Sequence, residues 1–189
     1  MRVIAGEFRS RPLKSVPGLD VRPTPDRLRE ALFSILQPII EGADFIDAYA
    51  GSGAVGIEAL SRGARRVIFI ERSIVALDVI KQNLAGLGLQ ARANIVKSPA
   101  AKALASYKAG IVFLDPPYNV PSEFEESLTA LGAGQAPLVI VQHPPKQALE
   151  KTYGQLTQYR VVKQGSNCLS FYRLIVTESP TNSIPLPSS

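Results

Sequence analysis

Gly110-Ile111-Val112-Phe113-Leu114-Asp115-Pro116-Pro117-Tyr118 is an apolar run that stops at a carboxylate, two prolines and an aromatic ring. Its first five residues have the length and the β-branched, aromatic content of a buried parallel strand. The prolines, with no amide hydrogen to give a sheet, end it. Asp115 is thereby placed at the carboxyl end of a strand, the edge of an open α/β sheet along which ligands bind. A plain turn is the competing reading of Asp-Pro-Pro-Tyr, and what weighs against it lies about sixty residues upstream.

Outward from this strand the chain alternates. Phe45–Tyr49, Arg66–Ile70, Ala93–Val96, Ile111–Leu114 and Pro137–Val141 read as strands. Between and after them, helices are expected from about Val55 to Ser61, Ile74 to Leu87, Ala100 to Tyr107, Glu123 to Leu131 and Gln147 to Lys151. This alternation is the pattern of a parallel sheet with crossover helices. Gln158–Lys163 and Cys168–Val176 then pair as an antiparallel hairpin. Short connections make residues 25–176 one domain. Ahead of it, Arg2–Gly6 and Arg11–Val16 read as the strands of a small basic β-hairpin within residues 1–24. A helix follows Val21-Arg22-Pro23-Thr24, with Thr24 as N-cap, Pro25 at its first position and Leu28, Ala31, Leu32, Ile35 and Leu36 on its core face. The tail, Thr177–Ser189, holds three prolines and four serines and is expected to be disordered.

A length of 189 residues with 46% hydrophobic content suits one domain with a sizeable core. The net charge is +5, and residues 1–29 alone carry seven Lys or Arg against three acids, which points to a polyanionic partner. A single cysteine, Cys168, excludes an internal disulfide, and with a single histidine, His143, no metal site is expected. Cys168 reads as core and His143 as a loop-edge residue. With no signal peptide and no run of eighteen apolar residues, a cytoplasmic location without a membrane contact is expected.

Asp47-Ala48-Tyr49-Ala50-Gly51-Ser52-Gly53-Ala54-Val55-Gly56 is a G-x-G-x-x-G between an expected strand and helix, and the acid Glu71 stands twenty residues after Gly51. Alone this spacing suits a dinucleotide. Asp47, however, ends the strand beside the loop, where its charge would repel a pyrophosphate. A cationic ligand such as S-adenosylmethionine, with an ammonium and a sulfonium, would be attracted, and Glu71 can accept from ribose hydroxyls. In such a sheet the first and fourth strands are neighbours about 4.8 Å apart, so the glycine loop and Asp-Pro-Pro-Tyr face one pocket.

These motifs resemble the class I S-adenosylmethionine-dependent methyltransferases with an Asp-Pro-Pro-Tyr amino-group motif. More narrowly, the chain is similar to the RsmD family, which methylates the exocyclic N2 of a guanine in small-subunit (16S) ribosomal RNA. The resemblance runs over residues 2–173 through Arg2–Gly6, Arg22–Phe33, Asp47–Arg62 and Asp115–Tyr118. It implies a Rossmann-like class I methyltransferase sheet of seven mostly parallel strands, the last antiparallel. It also implies a cofactor site of Asp47, Ala48, Gly51, Ser52, Gly53, Glu71, Arg72, Ser98 and Ala100. Asp115, Pro116, Pro117 and Tyr118 would be catalytic. Arg2, Arg9, Arg11, Lys14, Arg22, Thr24, Arg27 and Arg29 would hold ribosomal RNA or an assembling small subunit, and a monomer is expected. Where similar enzymes carry Asp or Asn after the third strand for the adenine amine, this chain has Lys97-Ser98-Pro99-Ala100.

Other readings use the same residues. Asp-Pro-Pro-Tyr serves any planar amine, so a DNA adenine-N6 or cytosine-N4 methyltransferase is the alternative enzyme. A non-catalytic RNA-binding ribosome-assembly factor is the alternative outside catalysis. A nicotinamide-dependent reductase is disfavoured by Asp47.

Overall fold

A computed structural model describes residues 1–17 and 26–175. The expected roles of Arg22, Thr24 and Pro25, and of the tail from residue 177, lie outside them. Strands β1 (Asp44–Ala48), β2 (Arg66–Glu71), β3 (Ala93–Lys97), β4 (Ile111–Leu114), β5 (Leu138–His143), β6 (Thr152–Tyr153), β7 (Leu156–Gln164) and β8 (Asn167–Leu174) form one sheet. Their order is β3-β2-β1-β4-β5-β8-β7-β6. The first five are parallel, and β8 enters antiparallel between β5 and β7. This is the Rossmann-like sheet that the alternation requires. An eighth strand is added because the chain turns at Gly154 and pairs Tyr153 with Leu156.

Helices α1 (Asp26–Leu36), α2 (Ala54–Ser61), α3 (Ile74–Leu87), α4 (Ala100–Leu104) and α5 (Ser122–Leu131), with a single 3-10 turn over Gln90–Arg92, complete the described fold. Alternate residues of the central strands feed two cores. Phe45, Ile111 and Phe113 pack with α1, α2 and α3, while Ile46, Ala48, Val112 and Leu114 pack with α4 and α5. All four residues of β4 are buried, each large side chain contributing about 1.5–3 kcal/mol. That double burial is why the strand reads as an unbroken apolar run.

Three local expectations change. The helix expected over Gln147–Lys151 is absent, since five residues after two prolines hold too few backbone bonds to offset nucleation. The N-terminal hairpin contracts to one antiparallel bridge, Arg2↔Pro12. Pro12 has no amide with which to extend a ladder. The core face of α1 runs through Leu28, Arg29, Leu32, Phe33 and Leu36, rotated from the expected Leu28, Ala31, Leu32, Ile35 and Leu36.

The arm, residues 1–17, is fastened to the domain. The fully buried Glu58 carboxylate on α2 accepts from the amides of Ile4 at 2.8 Å and Ala5 at 3.0 Å and from Arg62 Nε at 2.8 Å. Ser61 Oγ accepts from Phe8 N and donates to Ala5 O. Gly6, at φ +82°, passes so close to Ser61 O that a Cβ there would collide.

Candidate active site

The register pairs Asp47 with Phe113 and Ala48 with Leu114. The loops after β1 and β4 therefore leave one edge of neighbouring strands, as the sequence requires.

The glycine loop is built by backbone geometry that few residues tolerate. Tyr49 takes a left-handed φ of 66°, a conformation that costs a non-glycine residue about 1–3 kcal/mol. It is held there by its hydroxyl, which donates to Glu123 O at 3.2 Å and accepts from Ser127 Oγ at 2.7 Å. Gly51, at φ +55°, has open space where a Cβ would stand, room for a ligand to lie against the backbone. Gly53, at φ 79°, is the N-cap of α2. Gly56 is glycine for packing, since a Cβ would strike the Phe69 ring. Ser52 O accepts from Asn83 Nδ2 at 2.9 Å.

Three carboxyl groups converge below and beside this loop. Asp47 is 2% exposed and accepts from Gly56 N at 2.8 Å. Burial pushes its carboxyl well above the usual carboxylate range; the Gly56 amide opposes the shift, while the charges of Asp115 and Glu71 add to it. Glu71 Oε2 accepts from Gly51 N at 2.9 Å, and Oε1 from the amides of Arg72 and Ser73 at 2.8 Å. Three of its roughly four acceptor positions are filled, which fixes the carboxylate and leaves capacity for a hydroxyl. Such a pocket would repel a pyrophosphate and stabilise a cation.

A cavity of about 140 Å³ opens alongside. Glu71, Arg72, Ser98 and Ala100 line it, together with Tyr49 and the α5 carboxylates Glu123 and Glu126. Arg72 Nη1 meets Glu123 Oε1 at 2.9 Å, joining β2 to α5 at its rim. Ser98 Oγ donates to Pro99 O at 3.0 Å, which leaves the hydroxyl oxygen as an acceptor. An adenosyl group fits this donor set: a fixed acid for the ribose, an acceptor for an amine, and apolar Ile70 and Ala101 beside them.

On the β4 side Asp115 and Tyr118 are half-buried. The Tyr118 hydroxyl donates to Asn167 Oδ1 at 3.0 Å and accepts from Gln142 Nε2 at 3.2 Å, so β5 and β8 both hold the ring. Its face tilts 33° to Phe124, with centroids 6.4 Å apart. Pro116 and Pro117 restrict the chain between carboxylate and ring.

Among the expected RNA contacts, Arg2, Arg9, Arg11, Lys14 and Arg27 are exposed. Arg11 Nη2 rests on Gly86 O, and Lys14 Nζ on Gln82 Oε1. Arg29 departs from expectation. Its side chain is fully buried, and Nη2 donates to Arg2 O at 2.9 Å and Asp26 Oδ1 at 2.8 Å. It shares the core face of Phe33 and Leu36 and ties α1 to the arm. His143 is the buried last residue of β5, its Nε2 2.8 Å from Ser170 Oγ and its Nδ1 2.9 Å from Pro144 O. Burial holds its pKa below the ordinary value. Cys168 is a buried core thiol. Among the described residues no His, Cys, Asp and Glu group is arranged to hold a metal ion, and no helix is long and apolar enough to cross a membrane.

Sequence reasoning missed Glu58, Asn83, Gln142 and Asn167, all buried and polar. The available signal was a polar residue on an otherwise apolar helix face or strand, with a partner distant in sequence. Nothing separated Glu123 and Glu126 from a solvated helix surface.

The profile of the family described as conserved hypothetical protein 95 matches residues 1–173. YlbH of Bacillus subtilis, provisionally named an rRNA methyltransferase, is 35% identical over 182 residues, which cover 92% of this chain and 98% of YlbH. Ribosomal RNA small subunit methyltransferase D of Escherichia coli K12 is 43% identical over 123 residues, 63% of this chain and 61% of that protein. A solved structure from Escherichia coli, provisionally named methyltransferase yhhF, superposes with a TM-score of 0.80 at 33% identity, covering 92% of this chain and 97% of that one.

Proposed function

Because the chain belongs to the family described as conserved hypothetical protein 95, the RsmD family, we propose that it is an S-adenosylmethionine-dependent rRNA methyltransferase acting on the exocyclic N2 of a guanine in small-subunit RNA. The observation that carries this reading is the meeting of two loops at one sheet edge, an acid-rich glycine loop suited to a sulfonium and a clamped Asp-Pro-Pro-Tyr suited to an amine. The chain works as a monomer in the cytoplasm.

Asp47, with the backbone of Ala48, Gly51, Ser52 and Gly53, holds the methionine end of the cofactor. Glu71 takes the ribose, and Arg72, Ser98 and Ala100 enclose the adenine side. Bound there, S-adenosylmethionine supplies an activated methyl group, so neither a metal nor a covalent intermediate is needed. A purine amine is a poor nucleophile because its lone pair is delocalised into the ring. The Asp115 carboxylate and the Pro116 carbonyl accept its two hydrogens and favour a pyramidal nitrogen, with their positions fixed in advance of reaction. Tyr118 stacks on the base, a contact worth about 1–3 kcal/mol. The stacked amine of a duplex is out of reach, so the base is flipped or taken unpaired. With the cofactor held by Asp47, the glycine loop and Glu71, and the amine held at Asp115–Tyr118, this positioning would supply much of the acceleration; the N–C bond would form as S-adenosylhomocysteine leaves and one amine proton passes to solvent. Arg2, Arg9, Arg11, Lys14 and Arg27 contact phosphates and orient the RNA.

The test is a split between chemistry and binding. Asp115→Ala is expected to abolish transfer of labelled methyl from S-adenosylmethionine to unmodified small-subunit rRNA, while S-adenosylhomocysteine binds within about threefold of wild type, a difference under 1 kcal/mol. Full turnover by that variant would remove Asp115 from the mechanism.

A further inference from the structure

Asn83 lies in the C-terminal half of α3, is not among the residues lining the cavity, and is 5% exposed. Asparagine is a poor helix former, so a buried one in a helix interior needs tertiary partners. Its side-chain oxygen accepts from Lys14 N at 2.8 Å, and its nitrogen donates to Lys14 O at 3.1 Å and to Ser52 O at 2.9 Å. Both amide hydrogens and one oxygen lone pair are used. One rigid planar group thus grips the main chain of the basic arm with two bonds and the main chain of the glycine loop with the third.

Position gives this clamp its meaning. Lys14 follows the exposed Arg9 and Arg11 on the arm, and Ser52 lies between the two left-handed glycines of the cofactor loop. Of the arm's other fastenings, Glu58 and Ser61 sit on α2, which begins at the end of that loop, and Arg29 on α1 holds Arg2 O. Among the described residues, Asn83 is the side chain that bonds arm and loop together. Holding Lys14 in place therefore holds Asn83, and through it the loop carbonyl whose position sets Gly51 and Gly53.

We propose that Asn83 is a positioning residue that couples the RNA-holding arm to the cofactor loop, so that bound RNA and bound cofactor raise each other's affinity. This rests on the function proposed above. Each ligand orders a segment that the other also needs ordered, so the second to bind meets a smaller ordering cost. Linkage makes the effect reciprocal, and couplings of this kind are about 5- to 150-fold.

The experiment measures binding of labelled S-adenosylhomocysteine by equilibrium dialysis, with and without saturating unmodified small-subunit RNA, supplied as transcript and as immature small subunits. Wild type is expected to bind it at least about fivefold more tightly when RNA is present. Asn83→Asp keeps an acceptor for Lys14 N but loses both donors. It is expected to bind each ligand separately and to show a ratio near one. A second readout uses wild type alone: hydrogen exchange at the Lys14 amide should slow when S-adenosylhomocysteine is added without RNA. An unchanged ratio in Asn83→Asp, or Lys14 exchange indifferent to S-adenosylhomocysteine, overturns the coupling. Failure of wild type to bind S-adenosylhomocysteine at all would instead overturn the functional reading on which it rests.

Discussion

Replacing Asp47 by Asn should separate what this carboxylate costs the free protein from what it gives the cofactor. The buried side chain accepts one hydrogen bond from Gly56 N, which the Asn carbonyl oxygen retains. What disappears is a charge placed near Asp115 and Glu71, both of which disfavour its ionisation. The folded pKa of Asp47 lies above the unfolded one, so between those values the native state holds more protons. Its contribution to stability is then present at low pH and lost as pH rises through the folded value. Ligand-free Asp47→Asn should therefore be no less stable than wild type at neutral pH and should lack that decline. For the cofactor the sign reverses. A carboxylate about 6–8 Å from an ammonium or sulfonium, at an effective dielectric of about 20, contributes about 2–3 kcal/mol, or about 30- to 150-fold in affinity. Calorimetric titration of S-adenosylhomocysteine, whose ammonium remains, and thermal unfolding from pH 4 to 8 check both halves. Unchanged affinity in the variant, or marked destabilisation of the ligand-free variant at pH 7, would refute the electrostatic reasoning.

The remaining substitutions address single contacts. Tyr118→Ala should raise the KM for RNA about 5- to 150-fold through loss of stacking; Tyr118→Phe should keep KM near wild type yet lower stability by about 1–3 kcal/mol, because buried Asn167 and Gln142 lose a partner. Steady-state kinetics and denaturant titration distinguish the two. Glu58→Ala strands two arm amides and Arg62 around a buried site and should cost about 3–5 kcal/mol, about 6–20 °C in Tm, read by calorimetry. Ser98→Ala removes one neutral acceptor, so S-adenosylhomocysteine binding should weaken only about 2- to 12-fold; a far larger loss would mean that Ser98 organises the cavity rather than accepting one amine hydrogen.

Where a residue's environment is dictated by its neighbours in sequence, its place in the fold was legible. The run Ile111–Leu114 is buried on both faces and ends at proline, so strand, edge and Asp115 followed together. The left-handed positions at Gly51 and Gly53 likewise follow from a tight strand-to-helix turn. Arg29 was misread because a guanidinium in a basic stretch looks solvated. The carbonyl of Arg2, brought back by the arm's fold, joins the Asp26 carboxylate in accepting from Nη2 in the interior, the former a contact across 27 residues. Glu58 and Asn83 were hidden for the same reason, with partners in the arm 53 to 69 residues away. Pro12 limited the arm's pairing by a purely local rule that the apolar pattern masked. The cavity's outer wall of Glu123 and Glu126 depends on how α5 docks, which periodicity does not report.

The most direct measurement of the central claim is nucleoside mass spectrometry of unmodified small-subunit rRNA, both free and within immature small subunits, treated with the protein and isotope-labelled S-adenosylmethionine. The account predicts label on guanine N2, dependent on Asp115. Label confined to an adenine or cytosine amine, or its absence with folded protein that binds S-adenosylhomocysteine, would contradict it.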